Sequence, residues 1–210
     1  MNPEYSETED CNQSELRSLA VCLRYCATLL RYPDQTVFAA LESALPAFAD
    51  LHLALLGCRQ IALPDFDSLQ LSYTSLFVAN PSGLPAVPYV SCRLEPGGQV
   101  YGAATTALRK MMALEGVRPA SGLGEPEDHI GLVFDFAALL AERSAENPEK
   151  SVELQHVIDA YLSPLLPGFA ADVVRAAPAG FYAGATAFCN ALIVNYNEKF
   201  PFHQNTEKED

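Results

Sequence analysis

The sequence contains no tryptophan and few basic side chains. Its 210 residues include 13 lysines and arginines against 26 acidic residues, a formal net charge of −13 at pH 7. Because a nucleic-acid-binding surface neutralises phosphates with basic side chains, this balance argues against nucleic acid as a partner. The charge is compatible with a cationic partner, although acidic proteins are common and charge alone does not identify one.

Long apolar runs are also missing. No uninterrupted apolar segment approaches the ~20 residues that a membrane-spanning helix needs. The first residues, MNPEYSETEDCNQSEL, are acidic and lack the basic start and apolar centre of a secretory signal peptide. We therefore expect a cytoplasmic protein that is not embedded in a membrane. Residues 1–13 are expected to form a disordered acidic leader, and residues 201–210 a polar tail.

Motifs for metal binding and for common catalytic sites are absent. The six cysteines include no C-x-x-C pair, and there are only four histidines. Glu153 and His156 form one E-x-x-H motif, but a carboxylate-bridged di-iron bundle needs two such motifs and two further glutamates. Three further motifs are missing: the phosphate-binding G-x-x-x-x-G-K-[ST], the nucleophilic-serine motif G-x-S-x-G and the zinc-binding H-E-x-x-H. We expect reduced cysteines, no metal, no cofactor and no enzymatic activity.

Helical periodicity is what the sequence does contain. Apolar residues recur at spacings of three and four along most of the chain, and no stretch alternates convincingly with period two. The pattern predicts an all-α fold, a single globular domain of eight or nine helices over residues 14–200. Ser14 and Asp34 are expected N-caps, Gly57 and Gly116 are expected to end helices, and residues 164–168 are expected to break one.

Residues 80–98 form the longest interruption, rich in proline and glycine. A loop of this length inside a compact domain is usually either functional or disordered, and its apolar residues favour a packed loop. We expect it to lie across the start of the central helix, with Tyr89 near Asp128 and His129.

The stretch GEPEDH at residues 124–129 precedes an apolar run over residues 130–141. The run is apolar on two sides, which is typical of a central helix packed between others. Pro126 is the expected first helical residue, so Glu127 and Asp128 would lie in the first turn, where the helix dipole favours negative charge. Asp128 is then expected to be accessible. A purely structural alternative is that the acids only favour the dipole and that His129 is a satisfied polar residue.

Three motifs, in order, resemble the TorD/DmsD family of redox-enzyme maturation chaperones. The family's Y/W-x-x-L-F motif is matched by Tyr73-Thr-Ser-Leu76-Phe77, its P-P-W/Y-x-S stretch by Val-Pro88-Tyr89-Val-Ser91, and its acidic loop by Glu125-Pro126-Glu127-Asp128-His129. The resemblance covers about residues 65–145, and three motifs at these separations are fairly specific.

This resemblance implies a TorD-like helical fold and a chaperone that binds the twin-arginine signal peptide of a molybdenum-cofactor oxidoreductase. Such a chaperone holds the precursor until cofactor insertion is complete. The implied partners are that peptide, the precursor of a catalytic subunit of DMSO or TMAO reductase type, and components of the twin-arginine translocase. The implied peptide-binding residues are Tyr73, Leu76, Phe77, Pro88, Tyr89, Ser91, Glu125, Pro126, Glu127, Asp128 and His129.

Residue chemistry agrees with this interpretation but leaves alternatives open. Carboxylates pair bidentately with arginine, and aromatic side chains can line a groove for an apolar segment. The spacing of Tyr73, Leu76 and Phe77 also fits plain core packing. The alternative function is an enzyme, or a nucleotide- or pterin-cofactor-binding protein, that uses Asp128 and His129. A long open groove at these two residues would favour binding, and a small closed cavity in which they converge would favour catalysis. With Asp128 accessible, Asp128→Lys is expected to weaken peptide binding and leave the fold intact.

Overall fold

A computed structural model describes residues 3–58, 61–120 and 124–199, with side chains of the first helix described from Asn12 onward. Most of these residues are helical and none lies in a β-strand, which confirms the all-α expectation. The helices are α1 (Pro3–Leu29), α2 (Gln35–Ala47), α3 (Ala49–Leu56), α4 (Phe66–Tyr73), α5 (Val90–Leu94), α6 (Ala103–Leu114), α7 (Ile130–Glu146), α8 (Ser151–Val157), α9 (Ser163–Ala176) and α10 (Phe181–Lys199). Two π-helical turns, Thr74–Val78 and Ile158–Leu162, and a 3₁₀ turn, Pro148–Lys150, complete them.

Helix α7 lies at the centre of the core. Val133, Phe134, Ala137 and Leu140 are fully buried. Helix α1 is its main neighbour, and α8 and the second π-helical turn also contact it. The two-sided apolar pattern of this helix is therefore explained by neighbours on more than one side.

Caps predicted from the sequence are present. The Asp34 carboxylate accepts a hydrogen bond of 2.8 Å from the backbone N–H of Val37 at the start of α2. Gly57 ends α3 in the left-handed conformation, with φ of 70°, and Gly116 follows α6 with φ of 68°. Glycine adopts this conformation without the steric cost of a Cβ atom, so both expected helix ends are confirmed.

Two boundaries in this part of the chain differ from the prediction. Helix α1 begins at Pro3 rather than Ser14, so part of the segment expected as a leader is helical. Proline suits a first helical turn, and no later proline or glycine interrupts the chain before Pro33. Helix α5 lies inside the loop predicted over residues 80–98. The polar tail expected over residues 201–210 lies outside the described residues.

Prolines 164 and 167 do not break the chain, contrary to the prediction. Helix α9 contains both, with Pro164 in its first turn. Just before Pro164, the N–H of Ser163 bonds to the carbonyl of Ile158, five residues back, so the helix is locally widened. We attribute the continuity to this π-helical turn, which shifts the hydrogen-bond register where proline N–H groups are missing.

One segment, Pro148–Ala176, is long and apolar enough to cross a membrane by length and composition, with mean hydropathy 1.3. Val152 and Val174 are exposed, but eight of its larger apolar side chains lie in the core of the protein: Leu154, Val157, Ile158, Leu162, Leu165, Leu166, Phe169 and Val173. A core helix of this composition passes the same test, so the feature is weak evidence for a membrane span.

We expect Leu140→Ala to lower the free energy of unfolding by about 2–5 kcal/mol, because it leaves a cavity in the fully buried centre of α7. Urea unfolding followed by far-ultraviolet circular dichroism measures the loss. Leu114→Ala is the matched control, since that side chain is 77% exposed. Equal effects of the two substitutions would contradict the central position of α7.

Candidate functional site

The proline-rich loop crosses the start of α7. Tyr89 and His129 form an isolated antiparallel bridge. The Ile130 N–H donates to the carbonyl of Pro88 at 2.8 Å, and the Val90 N–H donates to the carbonyl of Asp128 at 3.0 Å. The rings of Tyr89 and His129 meet edge to face, with centroids 5.5 Å apart. The expectation that Tyr89 lies near Asp128 and His129 is confirmed.

Asp128 is fully buried, so the expectation of an accessible carboxylate is wrong. Its Oδ2 accepts a hydrogen bond of 2.8 Å from the backbone N–H of Ser91. Ser91 lies in the first turn of α5, where backbone N–H groups lack helical acceptors, so Asp128 caps a helix 37 residues earlier in the chain. Asp128→Lys would place a lysine in this buried position, and the fold is not expected to tolerate it.

Helix α7 begins at Ile130, four residues after the expected start at Pro126. His129 is its N-cap, and the His129 Nδ1 accepts the Gly131 N–H at 3.2 Å. Glu127 and Asp128 therefore precede the helix instead of occupying its first turn. A Cβ on Gly131 would lie 3.3 Å from the His129 Nδ1, so a larger residue here would require the histidine ring to shift by a few tenths of an ångström.

Hydrogen bonds define the protonation of His129. Because Nδ1 accepts from Gly131, the neutral ring carries its proton on Nε2. Nε2 then donates to the hydroxyl oxygen of Tyr73, 3.2 Å away, and the Tyr73 hydroxyl donates to the carbonyl of Leu30 at 3.4 Å. Burial lowers the pKa of His129. His129 is thus held neutral and oriented between α1, α4 and α7.

A cavity of about 420 Å³ opens beside this histidine. It is lined by Arg31, Tyr32, Asp34, Tyr73, Val78, Glu125, His129, Gly131 and Leu132. Tyr89 does not line it but contacts two residues that do, through its ring against His129 and its hydroxyl to Glu125. The first and the last of the three motifs therefore meet at one cavity, through Tyr73 and through Glu125 and His129.

The two glutamates of the acidic loop have different surroundings. Glu125 lines the cavity and accepts a hydrogen bond of 2.8 Å from the Tyr89 hydroxyl. Glu127 instead pairs bidentately with Arg109 at 2.7 and 2.8 Å, and this hydrogen bonding lowers the pKa of Glu127. Of the acids in the loop, Glu125 is the one placed to meet a ligand in this cavity.

The remaining motif residues are buried around the cavity or in the core. Tyr73 is buried at the cavity wall, whereas Leu76 and Phe77 belong to the core. Phe77 packs against Tyr73, Phe169 and Tyr182. Pro88, Ser91 and Pro126 are buried as well. The spacing of Tyr73, Leu76 and Phe77 also fits plain core packing. That alternative is correct for Leu76 and Phe77, which do not line the cavity.

Sequence reasoning missed the cavity residues that come from the end of α1. Arg31, Tyr32 and Asp34 lie in the turn between α1 and α2, and of these only Asp34 was singled out, as a helix cap. The Tyr32 ring packs edge to face on Tyr73, with centroids 5.4 Å apart. The local pattern marks this turn as a helix boundary but not as part of a cavity, because that role depends on the packing of α1 beside α7.

Asp128 and His129 do not form an acid–base pair in the cavity. The Asp128 carboxylate bonds to the backbone of α5, and the His129 ring bonds to Tyr73 and Gly131. His129 lines the cavity and Asp128 does not. The convergence of both residues in a small closed cavity, which would have favoured catalysis, is not observed; of the two, only His129 faces the cavity.

Comparison with known proteins adds independent information. Residues 30–171 match the family described as "Nitrate reductase delta subunit". The Tat proofreading chaperone DmsD of Salmonella typhi is 32% identical over 103 residues, 49% of this chain and 48% of that protein. The chaperone protein TorD of Vibrio cholerae is 31% identical over 115 residues, 51% of each chain. The chain thus spans about half the length of these curated relatives in the matched region.

A longer and weaker match is the TorD chaperone of Vibrio vulnificus, 28% identical over 160 residues, 71% of this chain and 72% of that one. Among solved structures, a candidate redox enzyme maturation protein from Archaeoglobus fulgidus has a TM-score of 0.54 at 22% identity and covers 85% of this chain and 93% of its own. That structure supports the fold alone. Because the family match extends over more than half of the chain, the protein belongs to the TorD/DmsD family, whose sequence profile is described as that of the nitrate reductase delta subunit.

Proposed function

We propose that this protein is a chaperone for the precursor of a redox enzyme and binds the precursor's twin-arginine (Tat) signal peptide at the cavity beside Glu125. The observation that carries the proposal is the composition of that cavity, which combines the carboxylates of Glu125 and Asp34 with the rings of Tyr32 and Tyr73. The names of the DmsD and TorD relatives agree with a chaperone role.

Arginine recognition explains why these side chains suit the peptide. A guanidinium forms charge-assisted hydrogen bonds with carboxylates and stacks on aromatic rings. Arg31 also lines the cavity, but its positive charge is offset by the ion pair with Asp135. Arg31 therefore does not neutralise Glu125 and Asp34, the two acids that can meet a cationic ligand in the cavity. Tyr32 is 45% exposed and offers a ring at the entrance.

The client follows from the family resemblance. We infer a molybdenum-cofactor oxidoreductase of DMSO or TMAO reductase type, whose precursor is held until its cofactor is inserted. Binding before export places the chaperone in the cytoplasm, with contact to translocase components as a further expectation. On this proposal the protein binds and releases without chemical turnover.

Glu125→Gln should weaken binding of a twin-arginine peptide by about tenfold, because it removes a charge-assisted contact but keeps an acceptor for the Tyr89 hydroxyl. Glu127→Gln is the matched control and should change affinity little, since Glu127 faces Arg109 outside the cavity. Isothermal titration of both variants with the same peptide measures the difference. A larger loss in Glu127→Gln than in Glu125→Gln would show that the peptide binds elsewhere.

Asp128 should act by positioning the loop. Asp128→Ala leaves the Ser91 N–H without its acceptor and should cost about 1–3 kcal/mol of stability, with weaker peptide binding. Asp128→Asn keeps an oxygen acceptor and should bind the peptide nearly as well as the wild type. Thermal melts and binding isotherms on the two variants provide the comparison. If Asp128→Asn loses affinity while remaining as stable as the wild type, the charge of Asp128 contributes to binding and a role in positioning the loop alone is wrong.

A further inference from the structure

A second cavity of about 290 Å³ adjoins the first along α7. Arg31 and Leu132 line both cavities. The second cavity continues past them along α7, with Asp135, Phe136 and Leu139 on the same helix. Since positions 132, 136 and 139 recur at helical spacing, one face of α7 forms a continuous floor beneath the two cavities.

The second cavity differs from the first in chemistry. Its wall is mainly apolar, formed by Met112 of α6 and by Val117, Leu132, Phe136 and Leu139. The structure shows no carboxylate among its lining residues other than Asp135. The Asp135 carboxylate is itself occupied, because it is ion-paired with Arg31.

Arginines surround this apolar wall. Arg24 lines the cavity and pairs with Glu142 at 2.7 Å, so its charge is offset. Arg118 is exposed at the cavity and forms no ion pair within the part of the chain that the structure describes. The local charge is therefore positive here, whereas Glu125 and Asp34 make the first cavity negative. The two ends of the groove have opposite charge.

We propose that the second cavity is the subsite for the apolar segment that follows the arginines of the signal peptide, and that the charge difference fixes the direction of the peptide. The proposal rests on the proposed function. A cationic segment is attracted by Glu125 and Asp34 and repelled by Arg118. An apolar segment gains from burial against Met112 and Leu139.

The dimensions of the groove agree with such a segment. His129 and Leu139 are ten positions apart along α7, or about 15 Å at 1.5 Å per residue. A helical peptide of roughly ten residues, or an extended one of four to five, covers the same distance. The groove can therefore hold a cationic pair and a short apolar segment together.

The experiment uses the full chain and three peptides, measured by isothermal titration. The forward peptide has a twin-arginine segment followed by an apolar segment, the second adds two lysines after the apolar segment, and the third is the cationic segment alone. The wild type should bind the forward peptide about tenfold more tightly than the lysine-tailed one, a difference of about 1.4 kcal/mol, because Arg118 repels the added charge. The cationic segment alone should bind more weakly than the forward peptide.

Two variants and one control locate the subsite. Leu139→Glu places a charge in the apolar wall and should weaken forward-peptide binding about tenfold while leaving binding of the cationic segment unchanged. Leu114→Glu, at an exposed position that lines neither cavity, should have no effect. Arg118→Glu removes the positive end of the groove from an exposed position and should abolish most of the preference for the forward peptide.

Different results overturn different statements. If the wild type binds the forward peptide but neither Leu139→Glu nor Arg118→Glu alters affinity or direction, the subsite is wrong and the proposed function stands. If the wild type binds none of the peptides, the proposed function fails and the subsite fails with it. Should Leu139→Glu not fold, Arg118→Glu alone decides, because an unchanged preference there contradicts the charge-directed orientation.

Discussion

The hydrogen bonds between residues 88–91 and residues 128–130 are the interaction on which the site depends. They join two segments that are distant in sequence, through the Pro88 and Asp128 carbonyls and the Asp128 carboxylate. The Asp128 carboxylate satisfies a helix N-terminus that has no local cap, and burial makes that bond costly to lose. The bridge holds Tyr89 against His129, and Tyr89 in turn holds Glu125 at the cavity.

The same junction gives the three acids of the loop three different roles. Asp128 is turned inward to the backbone of α5, Glu127 outward to Arg109, and Glu125 toward the cavity. Both Glu127 oxygens are paired with Arg109 and the Asp128 carboxylate is fully buried, so neither is free to meet a ligand in the cavity. Chemical similarity of the three acids does not make them equivalent. The cavity gains its negative charge from Glu125 together with Asp34, which lies in the turn between α1 and α2.

Arg31 connects the cavity to the rest of the groove. Its ion pair with Asp135 spans α7 and the turn after α1, and its side chain lines both cavities. The pair neutralises two charges at the centre of the groove, so the remaining charges at its two ends determine the field along it. The packing of α1 against α7 therefore shapes the groove as well as the core.

The sequence by itself determined the features that depend on neighbours along the chain. Helical spacing predicted the all-α fold, the two-sided apolar pattern predicted the central position of α7, and Asp34, Gly57 and Gly116 marked helix ends, because capping and periodicity act within one or two turns. The three motifs also identified the family and most of the segments that meet at the cavity.

Only the tertiary structure decided how each side chain is used. Asp128 finds its partner 37 residues away, Glu127 finds Arg109 18 residues away, and Arg31 finds Asp135 104 residues away. Burial and pairing at such separations depend on how helices pack, which local periodicity does not encode. The start of α7 moved from Pro126 to Ile130 for the same reason, since the residues before it bond to a distant loop instead of to their own helix.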